Sequence, residues 1–174
     1  GGLAQISTDA PIAWMGSTSE GALWWVDQSG GVGYEGPDAE LGDALETRGK
    51  IGSKKDGVSL ETAVFCAYKD RLQMLVRDAE GWTLWEMTHK GSKIQSNRIW
   101  SGSFSHEGGE EVSPVSAQYG PEVSGWGLSD GRVALWFEAT RSKNWEPLFT
   151  QPHKGAVCAL GYVHAEDKDY LLTY

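Results

Sequence analysis

The chain repeats itself about every 51 residues, and this limits its possible folds more than any other feature. "LWWVDQSGGVGYE" (Leu23 to Glu35), "VRDAEGWTLWE" (Val76 to Glu86) and "SGWGLSDGRVALWFE" (Ser124 to Glu138) share one plan. Each joins an apolar run to a turn carrying Asp and Gly, then resumes in a second strand-like run. Asp27 and Asp78 stand 51 positions apart, and Gly81 and Gly131 stand 50 apart. A second series precedes the first: "PIAWMG" from Pro11, "AVFCAYK" from Ala63, "PVSAQYG" from Pro114 and "AVCALGY" from Ala156. Tyr68 and Tyr119, in that second series, are again 51 apart. Two series on one period mark a structural repeat.

Each unit reads as a run of short antiparallel strands. The small-residue run is the innermost strand, where crowding near an axis favours Ala, Ser and Gly. The next strand ends at Asp27, Asp78 or Asp130. Asp in such a turn bonds its own downstream backbone N–H, and the Gly that follows takes the left-handed conformation. A third strand carries Trp85 or Trp136, and a fourth lies near "NRIWSG" (Asn97 to Gly102) or "NWEPLF" (Asn144 to Phe149). Four strands in about 50 residues is the size of a propeller blade. The expectation is an all-β, β-propeller-like repeat domain spanning residues 1–174, with roughly 3.5 four-stranded blades at 11–62, 63–113, 114–155 and, in part, 156–174. So few blades leave sheet faces and edges open, so closure by a partner chain, a second copy or a remainder of the polypeptide is expected.

Composition supports this class and removes others. Twenty-three glycines and nine tryptophans fit tight turns between half-buried strands. A net charge of -9, with "GSKK" (Gly52 to Lys55) as the densest basic run, argues against a nucleic-acid partner, which needs clustered Lys and Arg. No apolar run reaches the roughly 20 residues of a membrane helix. The opening "GGLAQISTDAP" has no signal-peptide pattern and no initiator Met, as expected of a processed or excised piece, and the compartment stays open. Cys66 and Cys158 lie in apolar stretches and are expected to be buried free thiols, with no zinc spacing. No cofactor or metal is expected.

The order of an inner "SPVSAQYG"-type strand, an apolar strand, an Asp-x-x-Gly turn and a later Trp segment resembles the fungal fucose-binding lectin propellers. That resemblance implies six blades of similar length with sugar pockets between neighbours. It also implies an Arg in the second strand that grips the sugar and a Glu in the third. The matching second-strand positions here are Ala22, Gln73 and Ser124 or Gly125; the third-strand positions fall near Tyr34, Trp85 and Leu135, with Glu35 and Glu86 as neighbours. The scaffold is therefore expected to carry over without the fucose chemistry. "RDAEGWTLW" is also similar to the Asp-box turns of sialidases, which are structural.

The functional expectation is a non-catalytic, lectin-like carbohydrate site between blades. Indole stacks on the apolar face of a sugar while polar groups read its hydroxyls. The candidates are Trp82, Trp85, Trp100, Trp136 and Trp145, with Gln73, Glu86 and Arg98 for polarity. The competing reading is that these tryptophans pack blade against blade. At Trp24–Trp25 the two indoles must take opposite faces of one strand. A protein-binding or structural propeller segment is the second reading, although the Gly-His and Trp-Asp marks of WD40 repeats are missing. An enzyme is the third. The six arginines are scattered, "HEGGEEV" (His106 to Val112) reads as a solvated loop, and no HExxH is present.

Overall fold

The computed structural model describes residues 5–38, 45–46, 49–51, 60–79, 81–106 and 108–174. Its strands, in chain order, are β1 (Ile6–Ser7), β2 (Ile12–Ser17), β3 (Leu23–Asp27), β4 (Gly31–Glu35), β5 (Leu45–Glu46), β6 (Gly49–Lys50), β7 (Val64–Tyr68), β8 (Arg71–Arg77), β9 (Trp82–Lys90), β10 (Lys93–Gly102), β11 (Pro114–Tyr119), β12 (Val123–Leu128), β13 (Val133–Phe137), β14 (Leu148–Thr150), β15 (Leu160–Ala165) and β16 (Lys168–Thr173). Three antiparallel sheets have four strands each: β2-β3-β4-β6, β7-β8-β9-β10 and β11-β12-β13-β14. These are blades 1 to 3. The pair β15-β16 forms a half-blade, and β1 pairs with β5 in parallel. The protein is all-β, and its sheets follow one another as propeller-like blades.

The repeated turns form as their chemistry requires. Asp27 Oδ1 accepts from the backbone N–H of Ser29 and Gly31, both at 2.9 Å. Asp78 Oδ1 accepts from Gly81 N–H at 3.0 Å, and Asp130 Oδ1 from Arg132 N–H at 3.1 Å. The glycines at Gly30, Gly81 and Gly131 take φ of 82°, 146° and 92°. Those backbones disfavour a side chain, so the Asp-to-Gly spacing is a hairpin device.

Residues alternate between the two faces of a strand, and here both faces are covered. In β8 and β9, Leu72, Met74, Val76, Trp85 and Met87 pack with Trp24, Val26, Val32 and Tyr34 of blade 1. Their neighbours Leu75, Trp82 and Leu84 pack with Trp126, Leu128, Ala134 and Trp136 of blade 3. Strands buried on both faces read as near-continuous apolar runs rather than as alternation. The inner strands β2, β7, β11 and β15 are neighbours in that order. Trp14 stacks on Phe65 at 5.3 Å, and Tyr68 on Tyr119 at 5.9 Å, across successive blades.

Both indoles of Trp24–Trp25 are fully buried. Trp24 Nε1 donates to the Lys69 carbonyl of blade 2 at 3.0 Å, while the Trp25 ring lies over Gly33, where a Cβ would fall on the indole. The half-blade packs on blade 3 through the space left by Gly125 and Gly127, beside Leu171 and Val157.

Three expectations need correction. Cys66 is buried, but Cys158 is exposed, because Ala156–Ala159 precede the strand and only Val157 of that run is buried. For the same reason the inner strand of the half-blade starts at Leu160 rather than at Ala156. "DAELGDALE" (Asp38 to Glu46) reads in sequence as part of a long inter-strand segment or as a short helix turn, but Leu45–Glu46 is a strand; residues 39–44 of that segment, and "GSKK", lie outside the described residues.

Candidate functional site

The start of β8 places Arg71 and Gln73 on the face turned toward blade 3, because they share the period-two register of Leu75. On β9, Glu86 is the register partner of Gln73. Gln73 Nε2 donates to Glu86 Oε2 at 3.0 Å, and both side chains are buried. In blade 3, β11 ends at Tyr119, and the turn of 3-10 helix after β13 (Glu138–Thr140) supplies Glu138, with Arg141 capping its C-terminal end. These groups meet between the two blades.

Glu86 is the centre of the cluster. Its carboxylate accepts from Nη1 and Nη2 of Arg141, and Tyr119 Oη donates to it at 3.3 Å. Glu138 Oε1 accepts from Arg71 Nη1 at 3.0 Å and from Arg141 Nη1 at 3.1 Å, and it lies 3.2 Å from Tyr119 Oη, whose single proton is shared between the two carboxylates. Two carboxylates and two guanidiniums thus share one network through a tyrosine. Arg141 also lies over the Trp145 ring, 4.6 Å from its centroid. Such a pair excludes water on one side and fixes the guanidinium plane.

Electrostatics follow from this packing. Burial works to push the Glu86 carboxyl up, but the bonds from Arg141 and Gln73 outweigh it and hold it below the usual glutamate range. The bond to Glu86 raises Arg141 in turn. Burial, with the Glu86 charge beside it, pushes the Tyr119 phenol well above its ordinary range. Burial and then Glu86 do the same to the Cys66 thiol, so that thiol is inert at neutral pH. Glu86 is ionised and clamped, which is unlike a general acid held protonated for catalysis.

The network opens onto a cleft of about 300 Å³ lined by Tyr68, Lys69, Asp70, Arg71, Tyr119, Pro121 and Glu138. Hairpins of blades 2 and 3 form its walls. Two cations line the cleft, Lys69 paired with Glu20 at 3.3 Å and Arg71 paired with Glu138 at 3.0 Å.

Of the eight residues expected from sequence, Gln73 and Glu86 come together here and Trp145 stands behind Arg141. Trp85 alternates onto the opposite face of β9, in the core with blade 1. Trp82, Trp100 and Trp136 surround Phe104 and one another between blades 2 and 3. The indole N–H groups of Trp100, Trp136 and Trp145 donate to Glu146, the Trp145 carbonyl and the Phe137 carbonyl. Arg98 is exposed on the outer strand β10, away from the cluster. Sequence reasoning missed Arg71, Arg141, Tyr68, Tyr119 and Glu138. Tyr68 and Tyr119 carried a signal, since they repeat at the blade period. Two of the six arginines converge although nothing in their sequence spacing indicates it.

Among the described residues no group of three His, Cys, Asp or Glu is arranged to hold a metal, and no helix is long and apolar enough to cross a membrane. No family model and no curated protein matches the sequence. Among solved structures, the chain is similar to human WBSCR16, with a TM-score of 0.46 and 13% identity over 84% of this chain and 39% of that one. It is also similar to the computationally designed Ika8 protein, with a TM-score of 0.41 and 12% identity over 97% of this chain and 61% of that one. The chain spans less than two thirds of either neighbour.

Proposed function

We propose that the cleft between blades 2 and 3 binds a neutral carbohydrate without transforming it. The observation that carries this reading is the side-by-side placement of Arg71 and Glu138 next to the stacked Tyr68 and Tyr119 rings. Each sugar hydroxyl both donates and accepts. A guanidinium and a carboxylate held next to each other match a vicinal pair of hydroxyls, and Tyr68, half-buried where Tyr119 is buried, takes the apolar C–H surface. The buried Glu86–Arg141 pair fixes this polar edge from behind. Recognition then rests on tyrosines and on arginines outside the positions implied by the fungal fucose-binding lectins, and the shared element is an interblade sugar pocket. A glycan-array screen of the folded protein tests the reading. Binding to a neutral glycan supports it, and silence across neutral glycans removes it.

A second reading, a propeller segment that closes on a partner chain or a second copy, is favoured by one observation. Val163 and Leu172 stand 41% and 55% exposed on the half-blade face that turns away from blade 3. Mass in solution across concentration tests it: growth beyond 19.0 kDa supports closure by a second copy, and a monomer at all concentrations removes that form of it.

A further inference from the structure

The cleft between blades 2 and 3 has a counterpart one repeat further along. Blade 3 and the half-blade enclose about 260 Å³ lined by Glu122, Val123, Leu135, Phe137, Tyr162, Asp169, Tyr170 and Leu171. The repeat has kept the hollow and exchanged its chemistry. Gln73 lies five residues before its turn aspartate and pairs with Glu86; Gly125 lies five before Asp130 and pairs with Leu135. Without a side chain at Gly125, Leu171 and Leu160 come down against the sheet. The floor is therefore aliphatic and aromatic where the first cleft is ionic.

The rim has one sign of charge. Glu122 stands on one wall and Asp169 on the other, and among the described residues no lysine or arginine is paired with either. Asp169 Oδ1 accepts from His164 Nδ1 at 2.6 Å. Asp169 is exposed and is an anion at neutral pH. An apolar floor under two carboxylates is complementary to a cation that carries an apolar body.

We propose that this cleft is a second binding site, for a small protonated amine bearing an aromatic or branched-alkyl group. The ammonium sits between Glu122 and Asp169, and the apolar group covers Val123, Leu135, Phe137 and Leu171. The inference stands apart from the carbohydrate reading, because Arg71 and Glu138 take no part in it.

The test is calorimetric titration of the full chain with 2-phenylethylammonium, 2-phenylethanol and phenylacetate, which share a ring and differ in charge. The ammonium is expected to bind with a Kd of about 1 mM or tighter, as befits so small a ligand. The alcohol should bind about tenfold more weakly and phenylacetate not at all, since one charge-assisted contact is worth roughly that factor. Glu122→Gln, an exposed change that leaves the fold intact, should weaken the ammonium several-fold, while Arg71→Ala should leave it unchanged. Equal binding of all three probes overturns the proposal. So does an ammonium titration that stays flat to about 10 mM, or one that Glu122→Gln combined with Asp169→Asn does not alter.

Discussion

Glu86 and Arg141 stand 55 residues apart on different blades, and they form a bidentate ion pair in which the Glu86 side chain is 4% exposed. The pair joins blade 2 to blade 3 behind the cleft. Its two ends are unequal, because the Arg141 side chain remains 33% exposed. Removing the arginine leaves a buried charge with too few partners; removing the carboxylate leaves a cation that can reach water.

Arg141→Met should therefore destabilise the protein more than Glu86→Gln. The expected costs are about 3 kcal/mol for the first and about 1–2 kcal/mol for the second. Urea unfolding of the two variants beside the parent checks the order. Equal costs, or the reverse order, would show that the pair does not hold the blades as described.

The same carboxylate sets an acid limb. Its folded pKa is depressed below the unfolded glutamate value, so its contribution is fully present above that unfolded value of about 4.3 and is lost as pH falls through the folded pKa. Stability measured from pH 6 downward should fall below about pH 4.3, and Glu86→Gln should make that limb shallower. An unchanged limb in the variant would place the acid sensitivity elsewhere.

Blade 1 has its own sensitive point. A methyl group at Gly33 would occupy the space of the fully buried Trp25 indole. Gly33→Ala should cost about 3 kcal/mol or more, at the upper end of overpacking effects. Gly161→Ala, where a Cβ meets nothing within 4 Å, is the control and should cost well under half as much. Thermal unfolding of the two variants decides it.

The turn aspartates make a milder prediction. Asp78 accepts from Gly81 N–H at 3.0 Å and from the Thr83 hydroxyl at 2.5 Å. Asp78→Ala should cost about 1–2 kcal/mol by loss of those bonds, and Thr83→Val should account for part of it. A double-mutant cycle read by urea unfolding separates the two contributions.

The fold was legible because a repeat is written in one dimension. Asp27, Asp78 and Asp130 announce hairpins locally, and the run "RLQMLVR" announces a strand whether or not its neighbours are known. The site was legible only in part. Gln73 and Glu86 could be picked as polar residues in apolar strands, and the structure brings them together. Arg141 could not, because it reaches Glu86 across a blade boundary and no local pattern records that contact. The tryptophans are ambiguous through abundance: an indole that fills a wedge between sheets looks in sequence like one that waits for a sugar. Trp85 beside Glu86 is the clearest case, since one step along a strand reverses the face.

The most direct test of the central claim compares two arginines for the best glycan found by array. Titration of Arg71→Ala and Arg98→Ala, both shown folded, reads the site without relying on the buried pair. If the cleft between blades 2 and 3 holds the sugar, Arg71→Ala should weaken binding by about tenfold or more, and Arg98→Ala should match the parent. Loss of binding in Arg98→Ala with Arg71→Ala unchanged would contradict the account and move the site to the outer face of β10.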